Sequence, residues 1–166
     1  MNVMRVEGYR KFCNKLWNAT KFAMMKFPEG FVPAKSAEPS GRETLVEQWI
    51  LSKLNSTATE LNKHLEQRSF QLATQTIYDF WLYQLCDVYI EAMKPMSGED
   101  TPEEVRRSAQ DTLYTALECG LKMLHPFMPF VTEELWQRLP RRPEDETITI
   151  ALASFPQAVS DCRPNP

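Results

Sequence analysis

Gly8-Tyr9-Arg10-Lys11-Phe12-Cys13-Asn14-Lys15-Leu16-Trp17-Asn18-Ala19 reads as one helix with two different faces. Phe12, Leu16, Ala19, Ala23 and Phe27 step by three or four residues and form an apolar stripe. Lys11, Lys15, Asn18 and Phe22 repeat that stepping on another side, with Arg10, Asn14 and Lys21 next to them. The helix is expected from about Met4 to Lys26, closed by Pro28, Gly30 and Pro33. Residues 28–41, rich in proline, glycine and small polar side chains, read as an exposed loop.

The same pattern continues outward. A second helix is expected with Ser40 as N-cap and Glu43 completing a capping box. Its buried stripe is Leu45, Trp49, Leu54, Ala58, Leu61 and Leu65. After a turn at Gln67-Arg68-Ser69, a third helix runs from about Phe70 to Lys94, with Ala73, Ile77, Phe80, Trp81, Leu85, Val88, Tyr89 and Ala92 inward. Thr101-Pro102-Glu103-Glu104 opens a fourth with a cap, a proline and acidic residues in the first turn. Val105, Ala109, Leu113, Ala116, Leu117, Gly120, Leu121 and Leu124 line its inside, and His125-Pro126 breaks it. Met128-Pro129 starts a short fifth helix that Phe130, Val131, Leu135, Trp136 and Leu139 would dock. Pro140 to Glu146 is a polar loop. Thr147-Ile148-Thr149-Ile150 alternates and reads as an extended piece with no partner strand, packed on the bundle or on a missing neighbour. Five glycines in 166 residues argue against a strand-and-turn fold. The fold class is therefore all-α: an antiparallel bundle of about five helices with a short extended C-terminal segment. Residues 1–156 form the bundle and 157–166 a tail.

The net charge of −3 conceals an asymmetry. Residues 1–35 carry seven Lys and Arg against Glu7 and Glu29, or +5, which leaves −8 on the remainder. A basic face on an acidic body steers a polyanion to one place; the plainer alternative is that these cations only solvate a helix. Cations, amides and an outward-leaning ring on one surface suit single-stranded nucleic acid, serving phosphate, base edge and stacking respectively. The candidate residues are Lys15, Phe22, Arg10, Lys11, Asn14 and Asn18. Two alternatives stay open, Phe22 as a core residue and Trp17 as a half-buried wall. Arg141-Arg142 reads as a solvated loop pair or, alternatively, a phosphate contact.

Catalytic chemistry finds little footing. There is no glycine-rich phosphate loop and no nucleophile elbow. His64 and His125 are the only histidines, and neither stands beside a second metal-type ligand. His125 reads as a cap or packing residue. Cys13, Cys86, Cys119 and Cys162 are widely spaced, which excludes zinc-ribbon and thioredoxin-like arrangements and fits a reducing compartment. No signal sequence or membrane-length apolar run is visible.

The opening stretch, Gly8 to Ala19, resembles the start of the anticodon-binding domain of valyl-tRNA synthetases, class I aminoacyl-tRNA synthetases also called valine–tRNA ligases. The likeness continues at Trp49-Ile50-Leu51-Ser52-Lys53-Leu54, at Phe80-Trp81 with Cys86-Asp87-Val88-Tyr89-Ile90-Glu91 and Lys94-Pro95, and at His125-Pro126-Phe127-Met128-Pro129-Phe130-Val131-Thr132-Glu133-Glu134-Leu135-Trp136. The resemblance implies a parent enzyme that activates valine with ATP and esterifies it to its tRNA. The HIGH-like and KMSKS-like motifs of that family are absent from this sequence, as are its editing domain and coiled-coil arm. The chain is accordingly expected to be a piece of a longer protein. It is expected to be inactive alone and to need no cofactor, ATP serving the parent enzyme. Its expected partners are the anticodon loop of valine tRNA and the missing catalytic domain, with no metal and no membrane. The expected location is the cytoplasm, with a mitochondrial form as the alternative. The resemblance carries Lys15 and Phe22 over as residues that cradle anticodon bases. Arg10, Lys11, Asn14 and Asn18 come from helical geometry. The rival readings are a helical protein-interaction module and the same domain of an isoleucyl relative.

Overall fold

The computed structural model describes residues 3–98 and 100–157, with side chains from residue 7 onward. Its helices are α1 (Val3–Lys26), α2 (Leu45–Glu66), α3 (Phe70–Asp79), α4 (Ile90–Met93), α5 (Glu103–Leu124) and α6 (Pro129–Arg138). A π-helical segment, Phe80–Tyr89, joins α3 to α4 without a break, so these three make one rod and the bundle has five. No strand occurs among the described residues. The all-α expectation holds. Cys162 and all but the first residue of the 157–166 tail lie outside the described residues.

α5 is the central rod and packs against each of the others. Its buried residues include Gln110, Thr112, Thr115 and Glu118 as well as the expected apolar stripe. The rod from α3 to α4 shows how sequence period sets helix type. Ala73, Ile77, Trp81, Leu85, Tyr89 and Met93 recur at every fourth position, and all are fully buried. On a regular α-helix, five such steps at 100° per residue would drift about 200° around the axis. The wider π turns absorb the surplus residues and keep the series facing the core. The same widening explains one departure from expectation. Val88 rotates outward to 46% exposure while Tyr89 and Met93 take the inside.

A close approach anchors this rod to α5. The indole N–H of Trp81 donates to the Gly120 carbonyl at 3.1 Å. A Cβ at Gly120 would stand 3.1 Å from Trp81 and 3.2 Å from Phe80, both fully buried. Glycine is needed there for space. At the end of α2, Ser69 N–H bonds the His64 carbonyl at 2.8 Å and Arg68 N–H the Leu65 carbonyl at 3.0 Å. That is a Schellman closure with Arg68, at φ 57°, where glycine usually sits.

Several expectations need correction. The N-cap of α2 is Thr44, not Ser40, and Glu47 accepts the Thr44 N–H at 2.5 Å. The Ser40–Glu43 pair does form, with Ser40 N–H and hydroxyl both donating to Glu43, but it closes a turn one step upstream. The shift by four residues leaves Leu45 exposed in the first turn. Phe130, expected to dock the last helix, is instead exposed on the solvent side of α6. The 147–150 segment finds its partner on the bundle. Glu133 on α6 accepts the Thr149 hydroxyl at 2.7 Å and the Ile150 N–H at 3.1 Å, and Ile150 is buried. His125 links α5 to α6 through Thr132 at 2.8 Å.

Candidate nucleic-acid interface

Phe12, Leu16, Ala19 and Ala23 turn into the core and fix the roll of α1. The opposite face then belongs to Arg10, Lys11, Asn14, Asn18, Lys21 and Met25, all exposed. Lys15 and Phe22 lie on the border of that face, half-buried. Lys11, Lys15, Asn18 and Phe22 therefore share one side of the helix. Phe22 leans one flank on the core, with the Lys26 ammonium 5.6 Å from its ring centroid. It is neither sealed in the bundle nor fully open.

Charge on this face is partly spoken for. Lys11 pairs with Glu7 at 3.2 Å, but both side chains are well exposed and the contact is weak. Among the described residues, Arg10 and Lys21 have no ion-pair partner. Lys15 does: its ammonium stands 2.5 Å from Asp87 on the π segment. The hydrogen bond to Asp87 raises the lysine above its usual range, against a smaller opposing effect of burial. Neighbouring Cys86 is pushed up to about 11 by burial and stays a thiol. Asp87 is a partner of Lys15 that the sequence reading did not assign. The signal available was Cys86-Asp87 within a segment of four-residue period, whose wide turns present Asp87 to α1.

Sequence reasoning also missed a groove on the other flank of α1. Trp17, Thr20, Lys21 and Met24 face Leu135 and Arg138 of α6 across about 530 Å³ of open space. The Arg138 guanidinium lies 5.0 Å from the Trp17 ring centroid. The Glu134–Arg138 spacing marks an ion pair on α6, but nothing in the sequence says which helix faces it.

Arg141 and Arg142 are not a solvated pair. Arg141 stacks on Trp136, 3.4 Å from the ring centroid. Arg142 is nearly buried and donates to Glu118 at 2.7 Å, to Thr115 at 3.1 Å, and to the carbonyls of Ala34 and Ser36 at 2.6 and 2.8 Å. It clamps the 28–41 loop to α5 with four of its five N–H donors. Cys13, Cys86 and Cys119 are free thiols. Among the described residues, no group of three or more His, Cys, Asp or Glu could hold a metal ion, and no helix is long and apolar enough to cross a membrane.

The family described as the anticodon-binding domain of tRNA ligase matches residues 47–163, from the first turn of α2 onward. Whole-chain similarity extends over α1 as well. A valine–tRNA ligase of Schizosaccharomyces pombe is 54% identical over 94% of this chain. A mitochondrial valine–tRNA ligase of Saccharomyces cerevisiae is 48% identical over 97%, and the valine–tRNA ligase of Homo sapiens 47% over 98%. The chain spans only 16%, 14% and 13% of those three proteins. Fold, exposed basic face and matched residues agree: the chain belongs to the anticodon-binding domain family of tRNA ligases, in the form that valine–tRNA ligases carry.

Proposed function

We propose that the exposed face of α1 grips unpaired anticodon-loop nucleotides of valine tRNA, on behalf of a parent enzyme that attaches valine to that tRNA with ATP. The supporting observation is that Lys11, Lys15, Asn18 and Phe22 lie on one side of a helix whose other side is locked in the core. Phe22 stacks on a base, a contact worth about 1–3 kcal/mol. Lys15 leaves Asp87 to meet a phosphate or a base edge. Asn14 or Asn18 reads a Watson–Crick edge, and Arg10 and Lys11 hold the flanking backbone. The remaining chain of the parent supplies the ATP and valine sites. The setting is wherever that protein synthesis occurs, cytoplasm or mitochondrion.

Titration of labelled valine tRNA against the chain tests this. Binding should be weak, should fall steeply with salt, and should weaken further in Phe22→Ala and in Lys15→Ala. Equal affinities for the wild type and both variants would reject the α1 site. Tighter binding of isoleucine tRNA than valine tRNA would reject the valine assignment while keeping the site.

A further inference from the structure

The groove between α1 and α6 has a composition that packing alone does not explain. Trp81 and Trp136 are sealed in the core, whereas Trp17, also placed between two helices, keeps 39% of its surface open. Its ring is faced by the Arg138 guanidinium, in a groove also lined by Met24 and Leu135. The lining is an indole, two cations, a thioether, Leu135 and Thr20, with no carboxylate. Thr20 already donates to the Leu16 carbonyl, so it asks nothing of a ligand. Glu134 holds Arg138 from the α6 side. Lys21, at the rim, has no ion-pair partner among the described residues.

We infer that this groove is a second nucleobase seat: one further unpaired base of the bound RNA lies against the Trp17 indole beside the Arg138 guanidinium, with Lys21 on its phosphate. The inference rests on the α1 grip proposed above. Charge complementarity favours a nucleotide. A flat apolar wall, a planar cation and an uncompensated ammonium call for a ligand that is flat, π-rich and anionic in one residue. The groove also continues the first site. Trp17 and Asn18 are neighbours in sequence, and Lys21 separates the exposed amides from the groove. A helix is only about 10–12 Å across, so a strand that stacks a base on Phe22 can cross α1 and place another on Trp17.

The test uses the 166-residue chain and a short RNA stem–loop bearing a valine anticodon, with 2-aminopurine substituted at each loop position in turn. Binding should quench particular positions as they stack. Trp17→Ala should relieve the quench at one position and weaken binding roughly 5- to 150-fold. Trp17→Phe should retain most of both, and Arg138→Gln should weaken binding by a few fold while leaving the Phe22-dependent position unchanged. Phe22→Ala should relieve a different position. If Trp17→Ala and Arg138→Gln change neither affinity nor any quench while Phe22→Ala still does, the second seat is wrong and the α1 grip stands. A uniform loss of affinity in Trp17→Ala without a position-specific change would equally overturn it, marking Trp17 as structural. If Phe22→Ala has no effect either, the α1 grip falls with it.

Discussion

Asp87→Asn should strengthen RNA binding. In the free protein the Lys15 ammonium is engaged 2.5 Å from Asp87, with the two side chains 43% and 47% exposed. Exposed ion pairs of this kind contribute about 0.2–1 kcal/mol. RNA that takes Lys15 must give up that amount, and it meets a carboxylate close to its phosphates. Removing the charge of Asp87 returns the cost, so affinity should rise about 1.4- to 5-fold. If Lys15 then engages a phosphate fully, the salt slope should steepen by about 0.7, the increment for one single-strand phosphate contact. The loss of stability should not exceed about 1 kcal/mol, a few degrees in Tm. Because Asp87 raises the lysine above its ordinary 10.5, the ammonium keeps its charge below that value and loses it only as pH climbs through the raised one. The gain should therefore be constant between about pH 6 and 8. Fluorescence anisotropy on wild type, Asp87→Asn, Lys15→Ala and the double variant closes the cycle. Weaker binding by Asp87→Asn would mean that the carboxylate positions Lys15 for RNA. An equal gain in the Lys15→Ala background would mean that Lys15 is not what Asp87 restrains. Either result refutes the reasoning.

Gly120→Ala should destabilise by about 1–2 kcal/mol, because overpacking against a fixed Trp81 outweighs the helix propensity gained; a rise in Tm would show that the indole can yield. Arg142→Ala should cost about 2–4 kcal/mol in denaturant unfolding, since it strips a partner from Glu118, which is 3% exposed, with Lys122 at 2.8 Å softening the loss. Glu118→Gln in that background should recover part of it, and a single-variant loss under about 1 kcal/mol would contradict the clamp. The Glu133 carboxyl lies below its ordinary 4.5: burial works against this, but hydrogen bonds from Gln137, Thr149 and the Ile150 N–H outweigh it. Its hold on the 147–152 segment should thus persist above that value and be lost as pH falls through the lowered one. The Ile150 amide shift should titrate with a midpoint below 4.5 and cease to titrate in Glu133→Gln.

The rods were legible because amphipathic period survives packing. Phe12, Leu16, Ala19 and Ala23 turn inward as their spacing requires, and so do Leu113, Leu117, Leu121 and Leu124 of α5. Errors gathered where two local solutions compete. Ser40–Glu43 and Thr44–Glu47 carry the same capping pattern four residues apart, both pairs form, and the helix starts from the second. The π turns were written in the four-residue series from Ala73 to Met93, yet one helix read at α-helical period follows that series until its last turns, where Val88 and Ala92 were placed inside and Met93 was not. The α1 face was legible for the same reason as the core, both being set by one helix. Asp87 beside Lys15, Arg138 over Trp17 and Arg142 under the 28–41 loop were not. Each joins segments whose relative placement depends on how the rods pack.

Charge is divided unevenly along this acidic chain. Away from α1, six cations pair with carboxylates, Lys35 with Glu144, Lys94 with Glu91, Arg107 with Asp111, Arg138 with Glu134, and Lys122 and Arg142 with Glu118, while Arg42, Lys53, Lys63, Arg68, Arg106 and Arg141 have no ion pair among the described residues. On α1, Arg10 and Lys21 lack such a match among the described residues, and Lys11 has only an exposed contact with Glu7. Residues 1–35 carry an excess of +5 and the remainder −8, so the field of the chain favours a polyanion on its N-terminal side and opposes one elsewhere. Asp87 is the exception that sets a threshold. It occupies the border lysine in the free protein, so on the proposed α1 grip a strand that also stacks a base is better placed than a lone phosphate to displace it.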